Sequence, residues 1–402
     1  MSNTQKKNVP ELRFPGFEGE YSLDIFGNLA TNKSDKFNPQ NENASIDIEL
    51  DCIEQNTGRL IKIYNSKEFS SQKNKFNPQN VLYGKLRPYL NKYYFTKKSG
   101  VCSSEIWVLK STKEDKLLNL FLYYFIQTKR YSDVASKSAG SKMPRADWGL
   151  IENIRVYFPE LCEQQKIGEF FSKLDRQIEL EEQKFELLQQ QKKCYMQKIF
   201  SQELRFKDDN GNDYPEWEEK KLGELSQIVR GASPRPIKDP KWFNKESDIG
   251  WLRISDVTDQ NGKIYHLEQK LSIEGQEKTR VLLTTHLLLS IAASIGKPVM
   301  NFVKTGVHDG FLIFLNPKFN IFFMYYWLDY FKEKWSKYGQ PGSQVNLNSE
   351  IVKSQTLNMP SNHEQEKVGL FFSRNEKLIE LQQEKIMYLK RRKQALILKM
   401  FI

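Results

Sequence analysis

The sequence predicts a mixed α/β protein (α+β), written twice: two strand-rich domains, each followed by one long helix, the halves related by a pseudo-two-fold. Three observations predict it. The chain has 402 residues, more than one ordinary compact domain needs. Residues 159–201 align without a gap on 360–402, a shift of 201, with 16 identities that include Glu163/Glu364, Gln164/Gln365, Gly168/Gly369, Phe171/Phe372 and Phe200/Phe401. The segments between carry short β-like runs broken at frequent intervals by Gly, Pro and Asn.

Repetition at this scale is sought first because it decides the architecture. It extends upstream: FLYYFI at 121–126 answers FMYYWL at 323–328, and Leu12-Arg13-Phe14 returns as Leu204-Arg205-Phe206. The expected order is a flexible tail (1–9), a first domain (10–158), a central helix (159–205), a second domain (206–358) and a C-terminal helix (359–402). Within the domains, 62–64, 104–109 and 311–315 read as strands. The aromatic runs at 121–126 and 323–328 read as buried helices.

In the two repeated segments the apolar positions step by four and three. They are Ile167, Phe171, Leu174, Ile178, Phe185 and Leu188 in the first copy, and Val368, Phe372, Ile379, Ile386, Leu389 and Leu396 in the second. That is a heptad seam. Each segment follows a proline, and the second opens with the capping-box spacing of Ser361 and Glu364. Roughly 35 residues at 1.5 Å give a rod of about 50 Å. An antiparallel coiled coil of the two copies is the simplest way to cover both seams. Setting Glu181 opposite Lys393 puts Lys192 opposite Gln382, Phe185 beside Leu389 and Leu188 beside Ile386; the alternative leaves those polar positions to solvent or to other subunits.

Composition narrows the function class. Lys and Arg number 61 against 50 Asp and Glu, a formal net charge of +11, and aromatic residues are abundant; this balance favours a polyanionic partner. The first residues lack the apolar run of a signal peptide and no stretch is long enough to span a bilayer, so a cytoplasmic protein is expected. Cys52, Cys102, Cys162 and Cys194 form no CxxC pair, which argues for reduced thiols and against a zinc site. There is no nucleotide-cradling G-x-x-x-x-G-K-[ST] loop. Asn316-Pro317-Lys318-Phe319 resembles the NPPF-type motif of adenine methyltransferases, but Lys318 breaks it and no glycine-rich methyl-donor turn precedes it; it reads as a turn after a strand. No nuclease or hydrolase constellation stands out. The expectation is a non-catalytic chain with no catalytic residue, no metal and no cofactor of its own.

Several blocks together carry a family resemblance: PELRFPGFEGEY at 10–21, NVLYGKLRPYLNKYYF at 80–95, GVCSSEIWVL at 100–109, RGASPRP at 230–236, IGWLRISDV at 249–257, ASIGKP at 293–298, GSQVNLN at 342–348, and a proline, Glu-Gln, Lys, Ile/Val-Gly, Phe-Ser pattern opening both helices. Over nearly its whole length the chain resembles the specificity subunit of type I restriction-modification systems. The resemblance implies two target-recognition domains reading an asymmetric bipartite DNA site, with the helices fixing the gap. It also implies double-stranded DNA, two methyltransferase subunits and two motor-nuclease subunits as partners, with S-adenosylmethionine, ATP and Mg²⁺ on those partners. The glycine-serine-proline element at 231–234 has no clear counterpart in the first domain, so base-reading positions cannot be equated between the two from sequence. The rival from another class is a non-DNA helical scaffold presenting two ligand-binding domains.

Base edges and phosphates are met by Arg, Lys, Asn, Gln and Ser on loops. In the first domain the candidate DNA-binding residues are Lys85, Arg87, Tyr89, Asn91, Lys92, Ser141, Lys142 and Arg145. In the second they are Arg230, Ser233, Arg235, Arg253, Ser294, Lys297, Gln344 and Asn346. The basic run 390–393 is read as an exposed helix face, with phosphate contact as the alternative, and Phe170, Phe171, Phe371 and Phe372 as packing residues, with docking of a partner subunit as the alternative.

Overall fold

The computed structural model describes residues 8–38, 46–65, 71–137, 142–292, 295–338 and 347–402. The chain forms two compact units, 1–183 with 383–402, and 184–382. The sequence reading divides the chain at the helix ends, whereas the compact units divide it within both long helices, so each unit holds one recognition domain and half of each helix.

In the first unit the strands are β1 (Ser22–Ile25), β2 (Ala30–Thr31), β3 (Lys36–Phe37), β4 (Asp47–Ile48), β5 (Lys73–Phe76), β6 (Val81–Gly84), β7 (Tyr93–Phe95), β8 (Gly100–Cys102), β9 (Ile106–Ser111) and β10 (Arg155–Phe158). They make one sheet in the order β2-β9-β6-β7, a second in the order β3-β5-β8-β4, and an antiparallel β1-β10 ribbon leading into the central helix, Leu161–Phe200. The second unit has β11 (Glu218–Lys221), β12 (Gln227–Arg230), β13 (Gly250–Leu252), β14 (Lys263–Ile264), β15 (Arg280–Leu282), β16 (Leu287–Ser290), β17 (Pro298–Asn301), β18 (Thr305–Val307), β19 (Phe311–Leu315) and β20 (Thr356–Met359). Its orders are β12-β19-β16-β17-β14 and β13-β18-β15, with a β11-β20 ribbon leading into the C-terminal helix, Asn362–Met400.

The two layouts match. In each, one sheet has an interior strand (β9 or β19), antiparallel to both its neighbours, that follows directly on a strand of the other sheet (β8 or β18). That preceding strand pairs in parallel with one neighbour and antiparallel with another, and the second unit adds β14, parallel to β17, where the first adds β3. Positions that cannot be equated by sequence are therefore equated by topology. The strand expected at 311–315 is present; the one expected at 104–109 runs Ile106–Ser111, and 62–64 contributes only an isolated bridge, Asp47↔Tyr64. The aromatic helices are Asn119–Phe125 and Ile321–Phe331, with Phe121 to Phe125 and Phe323 to Leu328 all buried, as helices apolar on every face must be. Asn316, at φ 48°, turns the chain out of β19 as expected of that tetrapeptide.

The repeated Glu-Gln pair seats each domain on its helix. Glu163 accepts Arg13 Nη2 and Nε at 2.7 and 2.8 Å; Glu364 accepts Arg205 Nη2 at 2.9 Å and Trp217 Nε1 at 3.0 Å. Gln164 Oε1 accepts the N–H of Leu118 at 2.9 Å and Gln365 Oε1 that of Asn320 at 2.8 Å, while their amide groups donate to Pro159 O and Pro360 O. Each glutamine thus satisfies an unpaired N–H at the start of an aromatic helix. Gly168 lets one such helix approach: a Cβ there would lie 2.6 Å from Leu120 Cγ.

Of the expected seam, Ile167, Phe171, Leu174, Ile178, Val368, Phe372, Ile386 and Leu389 are buried, while Phe185, Leu188, Ile379 and Leu396 are only partly so. The proposed polar register is corrected. In the first unit Lys393 Nζ meets Asp175 at 2.6 Å and Glu181 pairs with Lys385; in the second Lys192 Nζ meets Glu376 at 2.9 Å in place of Gln382. The tyrosines of the aromatic helices explain the choice. Tyr124 OH donates to Asp175 at 3.0 Å and Tyr326 OH to Glu376 at 2.7 Å, so each acid is held at the domain-helix junction and draws the lysine there. Lys390, read as an exposed charge, pairs with Glu182. Phe171 and Phe372 are fully buried, and Phe170 and Phe371 pack edge-on against Phe14 and Phe206.

Candidate DNA interface

In the first domain the β6–β7 connection carries Lys85, Arg87, Tyr89, Asn91 and Lys92. A short 3₁₀ turn, Pro88–Leu90, is flanked by Arg87 and Asn91, both in the left-handed region at φ 52° and 46°. The segment from 142 to 146 lies alongside it: Arg87 N–H donates to Pro144 O at 2.7 Å, Ala146 N–H to Lys85 O at 2.8 Å, and Leu86 bridges Arg145. The structure thus brings together seven of the eight candidates of this domain. Arg87, Tyr89, Lys142 and Arg145 are exposed. Lys92 is committed inward, its Nζ donating to Leu50 O at 2.5 Å, and Asn91 O accepts Asn56 N–H at 3.1 Å. Ser141 lies outside the described residues, as do Ser294, Gln344 and Asn346 of the second domain.

In the second domain three candidates converge on one acid, Asp309. Arg230 Nε donates to its carbonyl at 2.6 Å, Ser233 Oγ to its Oδ1 at 2.8 Å, and Arg235 Nη2 to its Oδ2 at 2.8 Å. Gly231 permits this docking, since a Cβ there would stand 2.2 Å from His308 O. Desolvation alone would raise the Asp309 carboxyl, but the Ser233 hydroxyl and the charges of Arg235 and Arg230 hold it below the ordinary value. Burial lowers His308. A neutral ring fits its Nδ1 accepting the Gly310 N–H at 2.8 Å, so the nearby Asp309 Oδ1, at 3.1 Å, is not a hydrogen-bond partner of that nitrogen.

Arg253 stands beside a cleft of about 580 Å³ lined also by Lys238, Phe243, Trp251, Gln269 and His308, and is paired with Asp256 at 2.9 Å. Lys297 is apart from this group: half-buried, lowered from its ordinary value by burial and by Lys332, and directed at Val257 O at 3.3 Å. It reads as structural.

Two acids, absent from the basic, hydroxyl and amide candidates of the sequence, stand beside Arg145 and Arg235. Glu105 precedes β9 and Asp309 lies at the entry to β19. The register makes the two turns equivalent, because Ile106 pairs with Gly84 as Phe311 pairs with Ser290. Glu105 holds Arg145 in a fork, Nε to Oε2 at 2.9 Å and Nη2 to Oε1 at 3.2 Å. Among the described residues no cluster of His, Cys, Asp or Glu could hold a metal ion, and no helix is long and apolar enough to cross a membrane.

Two domains of one topology, each presenting loop arginines beside a strand turn and each seated on a long helix, define a two-headed DNA-specificity protein. The chain belongs to the family of type I restriction modification DNA specificity domains, whose model matches residues 20–190 and 214–391. It is the specificity subunit of such a system, a non-catalytic component that carries the DNA recognition domains; the helical scaffold without DNA function is not supported. It is 26% identical over 310 residues to the type I restriction enzyme MjaVIII specificity subunit of Methanocaldococcus jannaschii, covering 72% of this chain and 71% of that one. It is 25% identical over 169 residues to the EcoDI specificity subunit of Escherichia coli, covering 40% and 37%. The fold is shared with a chain of a type I R-M system (TM-score 0.60, 17% identity, 94% and 96% covered) and with the S subunit from M. genitalium (0.57, 14%, 98% and 99%). The HsdS subunit of Thermoanaerobacter tengcongensis is similar too (0.51, 17%, 97% of both).

Proposed function

We propose that this subunit reads an asymmetric, two-part double-stranded DNA target, one half-site per recognition domain, with the helices fixing the spacer. The supporting observation is that one topology carries two dissimilar loop sets: the first domain offers Arg87, Tyr89, Lys142 and Arg145 around the β6–β7 connection, the second Arg230, Ser233 and Arg235 around the β18–β19 turn. Tethering two short half-site contacts makes the second intramolecular and multiplies specificity. The subunit assembles with two methyltransferase and two motor-nuclease subunits, and S-adenosylmethionine, ATP and Mg²⁺ belong to those partners, in the cytoplasm. Genome-wide methylation sequencing of cells carrying the subunit with its methyltransferase tests this. A two-part asymmetric motif is expected only when both are present; methylation without such a motif overturns the reading.

A further inference from the structure

The same turn does the same thing in both domains. At the entry to β9 Glu105 holds Arg145, and at the entry to β19 Asp309 holds Arg235. The arginines come from unrelated places, one from the segment before residue 147 and the other from the loop after β12, so the sequence repeat does not align them. Both side chains nonetheless stay open to solvent, Arg145 at 50% and Arg235 at 71% exposure.

We infer that Arg145 and Arg235 each read a guanine, one in each half-site, and that Glu105 and Asp309 are positioning residues that present them. This rests on the reading of the chain as a two-part DNA reader. An arginine recruited only for charge gains nothing from an acid beside it: the carboxylate cancels the attraction to a phosphate and is itself repelled by one. A base edge is neutral, so the carboxylate costs it little. What the acid supplies is order. Arginine has a long stem with much rotamer freedom, and fixing it before binding removes an entropy loss that would otherwise fall on the complex. A guanidinium has five N–H donors on two edges, so a carboxylate on one is compatible with guanine N7 and O6 on the other, the commonest specific contact to that base. In the second domain the Asp309 carboxylate also accepts the Ser233 hydroxyl and the Asp309 main-chain carbonyl accepts Arg230 Nε, so the loop is set as a unit.

The test uses the whole subunit co-expressed with its methyltransferase, with methylation read genome-wide. Each wild-type half-site is expected to contain a G·C pair. Arg145→Ala should reduce discrimination at one G·C position of one half-site by about 5- to 150-fold and leave the other half-site intact; Arg235→Ala should do the reverse. Glu105→Gln and Asp309→Asn should loosen those same positions to a lesser degree. The inference is overturned if a wild-type half-site holds no G·C pair. It is overturned equally if the alanine variants keep both half-sites and only flatten the salt dependence of binding, which marks phosphate contacts. If they abolish methylation, the Gln and Asn variants decide: an unchanged motif overturns the inference, and loosening at one G·C position supports it. Failure of the wild type to give any two-part motif would instead remove the specificity reading on which all this depends.

Discussion

Glu364 is fully buried and takes bonds from Arg205 and from the Trp217 indole, so removing its carboxylate takes from Arg205 its shorter ion-pair partner and from the Trp217 N–H its acceptor. Glu364→Ala should lower stability by about 3–5 kcal/mol, measured by denaturant unfolding, and Glu163→Ala should act comparably through Arg13. Gly231→Ala is a sharper probe of the interface. Its Cβ would meet backbone at His308 O, which cannot swing aside as a side chain could. Overpacking there should cost about 1–3 kcal/mol and displace the loop holding Ser233 and Arg235; duplex binding by the variant should weaken while 1–183 keep their protease resistance. The clustering of Arg87 with Arg145, and of Arg230 with Ser233 and Arg235, joins residues that the sequence offers only as separate loop cations and hydroxyls. Glu105 and Asp309 were not legible there, because an acid becomes relevant only once its arginine, 40 or 74 residues away, is seen beside it.

At the scale of elements, the heptad pattern located both long helices and the aromatic runs located the buried ones, since period and apolarity are local properties. The polar register was not legible. It is set by Tyr124 and Tyr326, which belong to the domains and fix Asp175 and Glu376 where Lys393 and Lys192 must go. In the second unit Lys263 adds to the same cluster. Burial alone would raise Glu376, but Lys192, Lys263 and the Tyr326 hydroxyl outweigh it and hold the carboxyl below its ordinary value. A depressed acid stabilises the fold fully above its unfolded value and loses that contribution as the pH falls through the folded one. The stability gap between wild type and Glu376→Gln, from denaturant midpoints, should therefore be constant near neutrality and close as the pH drops below about 4.3. A gap that widens on acidification would contradict the assignment.

At the scale of the whole molecule, duplication explains why so little sequence identity between the domains coexists with one topology. The helix starts repeat because Glu163, Gln164 and Gly168 serve the same seating as Glu364, Gln365 and Gly369, whereas the loops carrying Arg145 and Arg235 take no part in that seating and share no sequence. The +11 net charge predicts salt-steep binding to duplex DNA of any sequence, with affinity falling linearly on a log-log plot. The most direct measurement is the methylation motif of a hybrid in which residues 206–358 are replaced by the corresponding domain of a relative with a different target. Two independent readers on a common support predict that one half-site is kept and the other exchanged. A motif changed in both halves, or in neither, would contradict the account.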